Sequence, residues 1–250
     1  PGLATTTLIF PATVRQYRNV KLTVVGCSPA WPNPGRAHSG YLLAHDKGRL
    51  LVDCGPGVLS RLREAEGWPD VDAIAITHMH IDHYGDLAAW LWGQLHVPGP
   101  NTRAPKLWLP PGGREDLYHL ASRFHEVFEI EEYADATPFE TAGFTVSPVR
   151  VAHYTQPTWG FRVEAGGKVA AFSSDTGPTP ALAELADGAD VFLCEATLED
   201  EEPEPRGHLT AAEAAAAATG AHRLLLVHRP AELTAPDGLE LAYDGLELEL

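Results

Sequence analysis

The chain has 250 residues, 44% of them hydrophobic, which is enough for one large core and compatible with one or two domains. Its 18 basic residues against 34 acidic ones leave a net charge of −16, with four lysines and no basic run. That balance disfavours nucleic-acid polymers and anionic membranes as partners, and no stretch approaches the ~18–20 apolar residues of a membrane helix.

Residues 1–20 show no periodicity and read as an N-terminal arm, with 21–250 as a single domain because no composition break suggests a linker. Lys21–Gly26 reads as a strand and runs into a Pro/Gly-rich loop, Cys27 to Gly40, that carries Arg36 and His38. Tyr41–Ala44 and Arg49–Val52 form a hairpin around the turn-rich His45-Asp46-Lys47-Gly48. Asp53 ends the second strand, and Gly55-Pro56-Gly57 leads into an amphipathic helix to about Ala65.

The apolar run Ala73–Ile76 looks like a buried strand, and it stops at Thr77-His78-Met79-His80-Ile81-Asp82-His83. Period-two alternation predicts His78, His80 and Asp82 on one side of an extended backbone, with a helix near Asp82 turning His83 toward the same point. Three imidazoles and a carboxylate in this arrangement suit zinc-class divalent ions. The bland alternative is a His-rich surface turn, which its place at a strand end disfavours.

An apolar helix follows over Gly85–Leu95, then a strand at Lys106–Leu109 and a helix from Arg114 to Val127. Phe144–Ala152, Trp159–Glu164 and Val169–Ser173 read as strands, a short helix lies near Pro180–Ala186, and Asp190–Cys194 is an apolar strand. After an acidic loop at 199–204, Thr210–Ala218 is an alanine-rich helix, and Leu224–Val227 is the last strong strand. Strands in two runs with helices between them predict two packed sheets with helices outside.

Further ligand-type residues recur at strand ends: His153, Asp175 and His228. Singly, each is explained as a rim histidine or a turn former. Together with the His cluster they point to one convergent site. Cys27, Cys54 and Cys194 are odd in number, far apart and without a Cys-x-x-Cys. They fit a reducing cytoplasm, as does an N-terminal stretch without the basic-then-apolar order of a secretory signal.

The run Thr77–His83, with Asp53, His153, Asp175 and His228 in that order, resembles the metallo-β-lactamase superfamily over residues 21–230. The resemblance implies an α+β fold, an αβ/βα four-layer sandwich of two mixed sheets flanked by helices, with a two-metal site on one edge. It implies that His78, His80 and His153 hold one ion, Asp82, His83 and His228 the other, and that Asp175 bridges them, with Asp53 supporting the cluster. Zinc is the expected ion, with manganese or iron as alternatives.

Asp175 stands where the best-known β-lactamases of the superfamily carry cysteine, and His80 where the di-iron flavoprotein branch carries glutamate. Antibiotic hydrolysis and redox chemistry are therefore disfavoured. Gly207-His208-Leu209-Thr210 resembles a signature of the ribonuclease Z and cyclic-nucleotide phosphodiesterase branches, in which the histidine assists the leaving oxygen. The bland reading is a residue beside a helix cap, Thr210 with Glu213 completing a capping box, and both can hold. Arg36 or His38 could touch a phosphate, although an exposed loop residue is the favoured reading for each. No Gly/Lys/Arg-rich arm for gripping transfer RNA is present.

Two divalent ions ~3.5–4 Å apart that share a water lower its pKa enough to give hydroxide near neutrality. An alkoxide leaving group then needs a proton, which His208 would supply as catalytic acid beside the site carboxylates Asp82 and Asp53. The expectation is a hydrolase of small, cyclic-nucleotide-like phosphodiesters, with a homodimer compatible. Thioester or lactone hydrolysis is the alternative, ahead of transfer RNA processing or a non-catalytic metal-binding module.

Overall fold

A computed structural model of the chain describes residues 19–96 and 105–250. The first half runs β1 (Lys21–Gly26), β2 (Gly40–His45), β3 (Gly48–Val52), α1 (Val58–Glu66), β4 (Ala73–Ala75), α2 (Ile81–Tyr84), α3 (Asp86–His96), β5 (Lys106–Leu109), α4 (Gly113–Leu120) and β6 (Glu129–Glu132). The second runs β7 (Phe139–Thr141), β8 (Phe144–His153), β9 (Gln156–Ala165), β10 (Lys168–Phe172), α5 (Ala181–Ala186), β11 (Val191–Glu195), α6 (Ala211–Ala217), β12 (Leu224–Val227) and β13 (Glu247–Glu249).

The strands form two mixed sheets, one in the order β13-β1-β2-β3-β4-β5-β6 and the other β12-β11-β10-β9-β8-β7. Tight turns give antiparallel pairs: His45 faces Gly48 across the β2–β3 turn, and Gly166 and Gly167 adopt the left-handed φ of 58° and 77° that a two-residue hairpin requires. Where a helix intervenes, as α1 does between β3 and β4, the next strand is parallel.

Alternation along the strands then builds the layers. Leu50 and Val52 of β3 turn inward to meet Phe144, Phe161, Val163 and Leu193 between the sheets. Leu51, with Ile74 and Ile76, turns outward against Val58 and Leu62 of α1, Trp90 of α3 and Leu117 of α4. On the far side Phe192, Cys194 and Leu226 meet Leu182 and Leu185 of α5 and Ala214 of α6. The result is the four-layer sandwich expected from the sequence, helices outside both sheets.

Some local expectations fail. The helix predicted from Arg114 to Val127 stops at Leu120, because Ala121 is extended, and a separate 3₁₀ turn covers Phe124–Glu126. The break lets both Phe124 and Phe128 enter the outer core beside Leu117. Three short strands, β6, β7 and β13, were not expected; β6 is acidic, and Lys106 of its neighbour pairs with Glu131 at 2.7 Å. The predicted N-terminal arm lies, up to residue 18, outside the described residues. No helix among the described residues is long and apolar enough to cross a membrane.

Candidate metal centre

The ligand-type residues come from strand ends on one rim. β3 stops at Val52, and Asp53 turns out of the sheet at φ 58°, its amide bonded to Ala75 O at the end of β4. From there Asp53 accepts from Thr77 N at 2.8 Å, Thr77 Oγ1 at 2.9 Å and His83 Nδ1 at 2.7 Å. Asp53 thus sits behind the site, fixing the loop after β4 and the ring of His83. Tyr154, Ser174 and His228 also hold left-handed φ, at 45°, 56° and 54°. Such non-glycine outliers are strained and persist only where their surroundings determine them.

Two groups of side chains converge. His78, His80, His153 and Asp175 form one, and Asp82, His83, Asp175 and His228 the other, each offering one ligand atom within 4.8 Å of its fellows. The two Asp175 oxygens face different groups. Oδ2 lies 3.9 Å from Nε2 of both His78 and His153. Oδ1 lies 3.3 Å from His83 Nε2 and 3.5 Å from His228 Nε2. Asp82 reaches the second group through α2, 3.2 Å from His228 Nε2. Here the sequence expectation needs correction: backbone extension ends at His80, which caps α2, so Asp82 leaves the His78–His80 row and joins His83.

The donor set suits divalent cations. His78 Nε2 and His83 Nε2 are buried without a hydrogen-bond partner, the state expected of a lone pair directed at a cation. Burial pushes His78, His80 and His153 below the usual imidazole pKa, which keeps them neutral. The opposite nitrogens are held: His153 Nδ1 donates to Gly207 O at 2.7 Å, and His228 Nδ1 pairs with Thr197 Oγ1 at 2.9 Å. Burial alone would raise Asp175, but His228 and His83 outweigh it and hold the carboxyl well below its usual range. Conversely, burial would lower His83, and the surrounding Asp175, Asp53 and Asp82 outweigh it and raise it well above. That excess of negative charge around His83 is what a bound cation would neutralise.

His208 stands beside both groups, its ring 4.9 Å from that of His153 and stacked 5.8 Å from that of His228. Its Nδ1 donates to Glu195 Oε1 at 2.7 Å. Burial opposes its charge, yet Glu195 and Asp175 outweigh burial and push its pKa up to about 9.

Glu195, at the end of β11, escaped the sequence reading. It is 1% exposed and accepts from Thr176 N, Thr197 N, Thr197 Oγ1, Leu209 N and His208. Those donors occupy its lone pairs, so although Glu195, His208 and His228 cluster closely enough for an ion, Glu195 serves as a tether. A carboxylate closing the otherwise apolar Val-Phe-Leu-Cys-Glu was the available signal, at the same kind of strand end as Asp53. Arg36 and His38 lie outside all three groups. His38 is buried with Nδ1 against Pro56 O at 3.1 Å, and Arg36 is exposed.

These features agree with comparison to known proteins. The description "Beta-lactamase superfamily domain" fits residues 48–229, and the chain belongs to that superfamily of metal-dependent hydrolases, the metallo-β-lactamase superfamily. It is 34% identical over 244 residues to an uncharacterised protein of Mycobacterium tuberculosis, covering 91% of this chain and 88% of the other. Ribonuclease Z of Mycobacterium marinum is 32% identical over 193 residues, covering 70% of this chain and 69% of its own length. The metallo-beta-lactamase fold protein YhfI of Bacillus subtilis superposes with a TM-score of 0.82 at 24% identity, covering 92% and 99% of the two chains. That last likeness is one of fold alone.

Proposed function

We propose that the protein is a phosphodiesterase of small, cyclic-nucleotide-like substrates. In this reading His78, His80 and His153 would hold one divalent ion and Asp82, His83 and His228 a second, with Asp175 available to both, while Asp53 orients His83. Imidazole nitrogen with carboxylate oxygen favours zinc, and manganese and iron accept the same donors. Ions held there would supply Lewis acidity, toward water and toward a phosphoryl oxygen.

The observation that carries the reading is His208, tethered by Glu195 and set beside both ligand groups. With Nδ1 engaged by Glu195, Nε2 is the atom left to carry a proton to the leaving alkoxide as the P–O bond breaks. A thiolate leaves without that help, so a thioesterase would gain little from such a residue. The relative named ribonuclease Z supports the same choice, since RNA is linked by phosphodiesters. The net charge of −16 argues for a small substrate and against a polymer.

The test is a side-by-side assay of the metal-loaded protein on a cyclic nucleotide, a chromogenic phosphodiester, a thioester and a lactone. Turnover concentrated on the phosphodiesters is expected. Thioester or lactone turnover far above it would replace this reading with the acyl-hydrolase alternative, which needs the same ligands.

A further inference from the structure

The β8–β9 turn places Tyr154 directly after His153, in a left-handed conformation. Its Oη donates to Glu202 Oε2 at 2.8 Å. The other oxygen of Glu202 accepts from Gly207 N at 2.7 Å and His208 N at 3.1 Å. The phenol ring lies 5.2 Å from the His153 ring and 5.6 Å from the His208 ring. Gly207 makes room for it, since a Cβ there would come within 2.1 Å of the tyrosine ring. The ring is therefore held at both ends, by its hydroxyl and by the backbone. Even so, Tyr154 remains 46% exposed. Ile81, between His80 and Asp82, is 53% exposed. Two exposed large side chains with apolar surface thus sit next in sequence to ligand-type histidines, Tyr154 after His153 and Ile81 after His80.

We infer that Tyr154 is the stacking platform of a subsite for a planar ring on the leaving-group side of the substrate, the chemical class being a nucleoside base. The inference rests on the phosphodiesterase reading, which makes His208 the donor to the leaving oxygen. A group departing at His208 has Tyr154 as its aromatic neighbour. Glu202 already engages the hydroxyl, so recognition falls to the ring face and not to a hydrogen-bond code. Every base has such a face, and the subsite therefore tolerates different bases. Stacking of this kind changes affinity by roughly five- to hundredfold per base.

The experiment compares binding of adenosine 5′-monophosphate and ribose 5-phosphate, which share phosphate and sugar and differ in the base. Calorimetry is run on the metal-loaded wild type, Tyr154→Phe and Tyr154→Leu, with cyclic-nucleotide hydrolysis measured in parallel. The wild type and Tyr154→Phe should prefer the nucleotide by about tenfold, and Tyr154→Leu should bind both ligands alike while its KM rises more than its kcat falls. A preference that survives in Tyr154→Leu overturns the platform. Equal loss in Tyr154→Phe also overturns it, because the hydroxyl tether and not the ring would then be responsible. Either result leaves wild-type hydrolysis intact. A wild type that cleaves no phosphodiester and binds neither ligand brings down the phosphodiesterase reading and this inference together.

Discussion

At the scale of single residues, the proposed function assigns ion binding and proton transfer to different side chains. His80 faces His153 Nε2 with its Nδ1 at 3.0 Å and belongs to the first ligand-type group. Purified protein should carry close to two equivalents of divalent metal, and His80→Ala should lose metal and activity together. Elemental analysis with activity before and after chelation checks this; full activity in thoroughly chelated protein sinks the two-ion site. His208 should behave differently, because the seven other side chains already fill both groups. His208→Ala should keep its metal and lose ~10²–10⁴-fold in rate on alkyl phosphodiesters, the usual contribution of a positioned acid. The loss should shrink on a nitrophenyl ester, whose leaving group departs without a proton. Loss of metal in this variant would make His208 a ligand.

At the scale of elements, the placement of His208 depends on the start of α6. Thr210 caps that helix: its side chain accepts from Glu213 N at 3.3 Å, and Glu213 accepts from Thr210 N at 2.9 Å, a complete capping box. Arg206 holds Glu213 from the other side of His208 at 2.6 and 2.8 Å. The helix cap and the proton-donor reading of this motif thus coexist, the cap fixing the backbone two residues beyond the imidazole. Thr210→Ala should cost about 1 kcal/mol of stability, a drop of roughly 2–4 °C in Tm for a chain of this size. Its loss of hydrolysis should be smaller than that of His208→Ala. An unchanged Tm would show that the cap adds nothing to what the core already holds.

At the scale of the whole molecule, net charge bears on which substrates the proposed function favours. A nucleic-acid polymer is held mainly through its phosphates, and a net charge of −16 opposes that attraction. Cleavage of precursor transfer RNA should therefore be weak beside cleavage of a cyclic nucleotide, despite the 32% identity to a ribonuclease Z. Parallel rate measurements at two salt concentrations test this, and efficient, salt-sensitive RNA processing would contradict it. The sandwich beneath the site is closely packed: Phe161 and Phe144 are fully buried between the sheets. Each such side chain contributes ~1.5–3 kcal/mol by leaving water.

Local pattern was enough to read the sandwich and its ligand-type rim from the sequence. The apolar runs Ala73–Ile76 and Leu224–Val227 are buried strands wherever they pair, and a His, Asp or Glu at the end of such a run has one rim to occupy. Edge strands carry no such signal. Glu129–Glu132 and Glu247–Glu249 are mostly acidic, and only pairing with β5 and β1 makes them strands. Division of the ligands between two groups came from the family resemblance and not from periodicity, because it depends on extension giving way to helix at Ile81, which swings Asp82 away from His78 and toward His228. Glu195 and Tyr154 are the clearest cases. Glu195 carries only the strand-end signal and Tyr154 only its place after His153, and neither shows what the side chain holds; each has its place because the 202–209 segment folds back against β11 and the β8–β9 turn. Periodicity and motif spacing are short-range properties of a chain, whereas a tether between residues 13 or 48 positions apart exists only once packing has closed the distance.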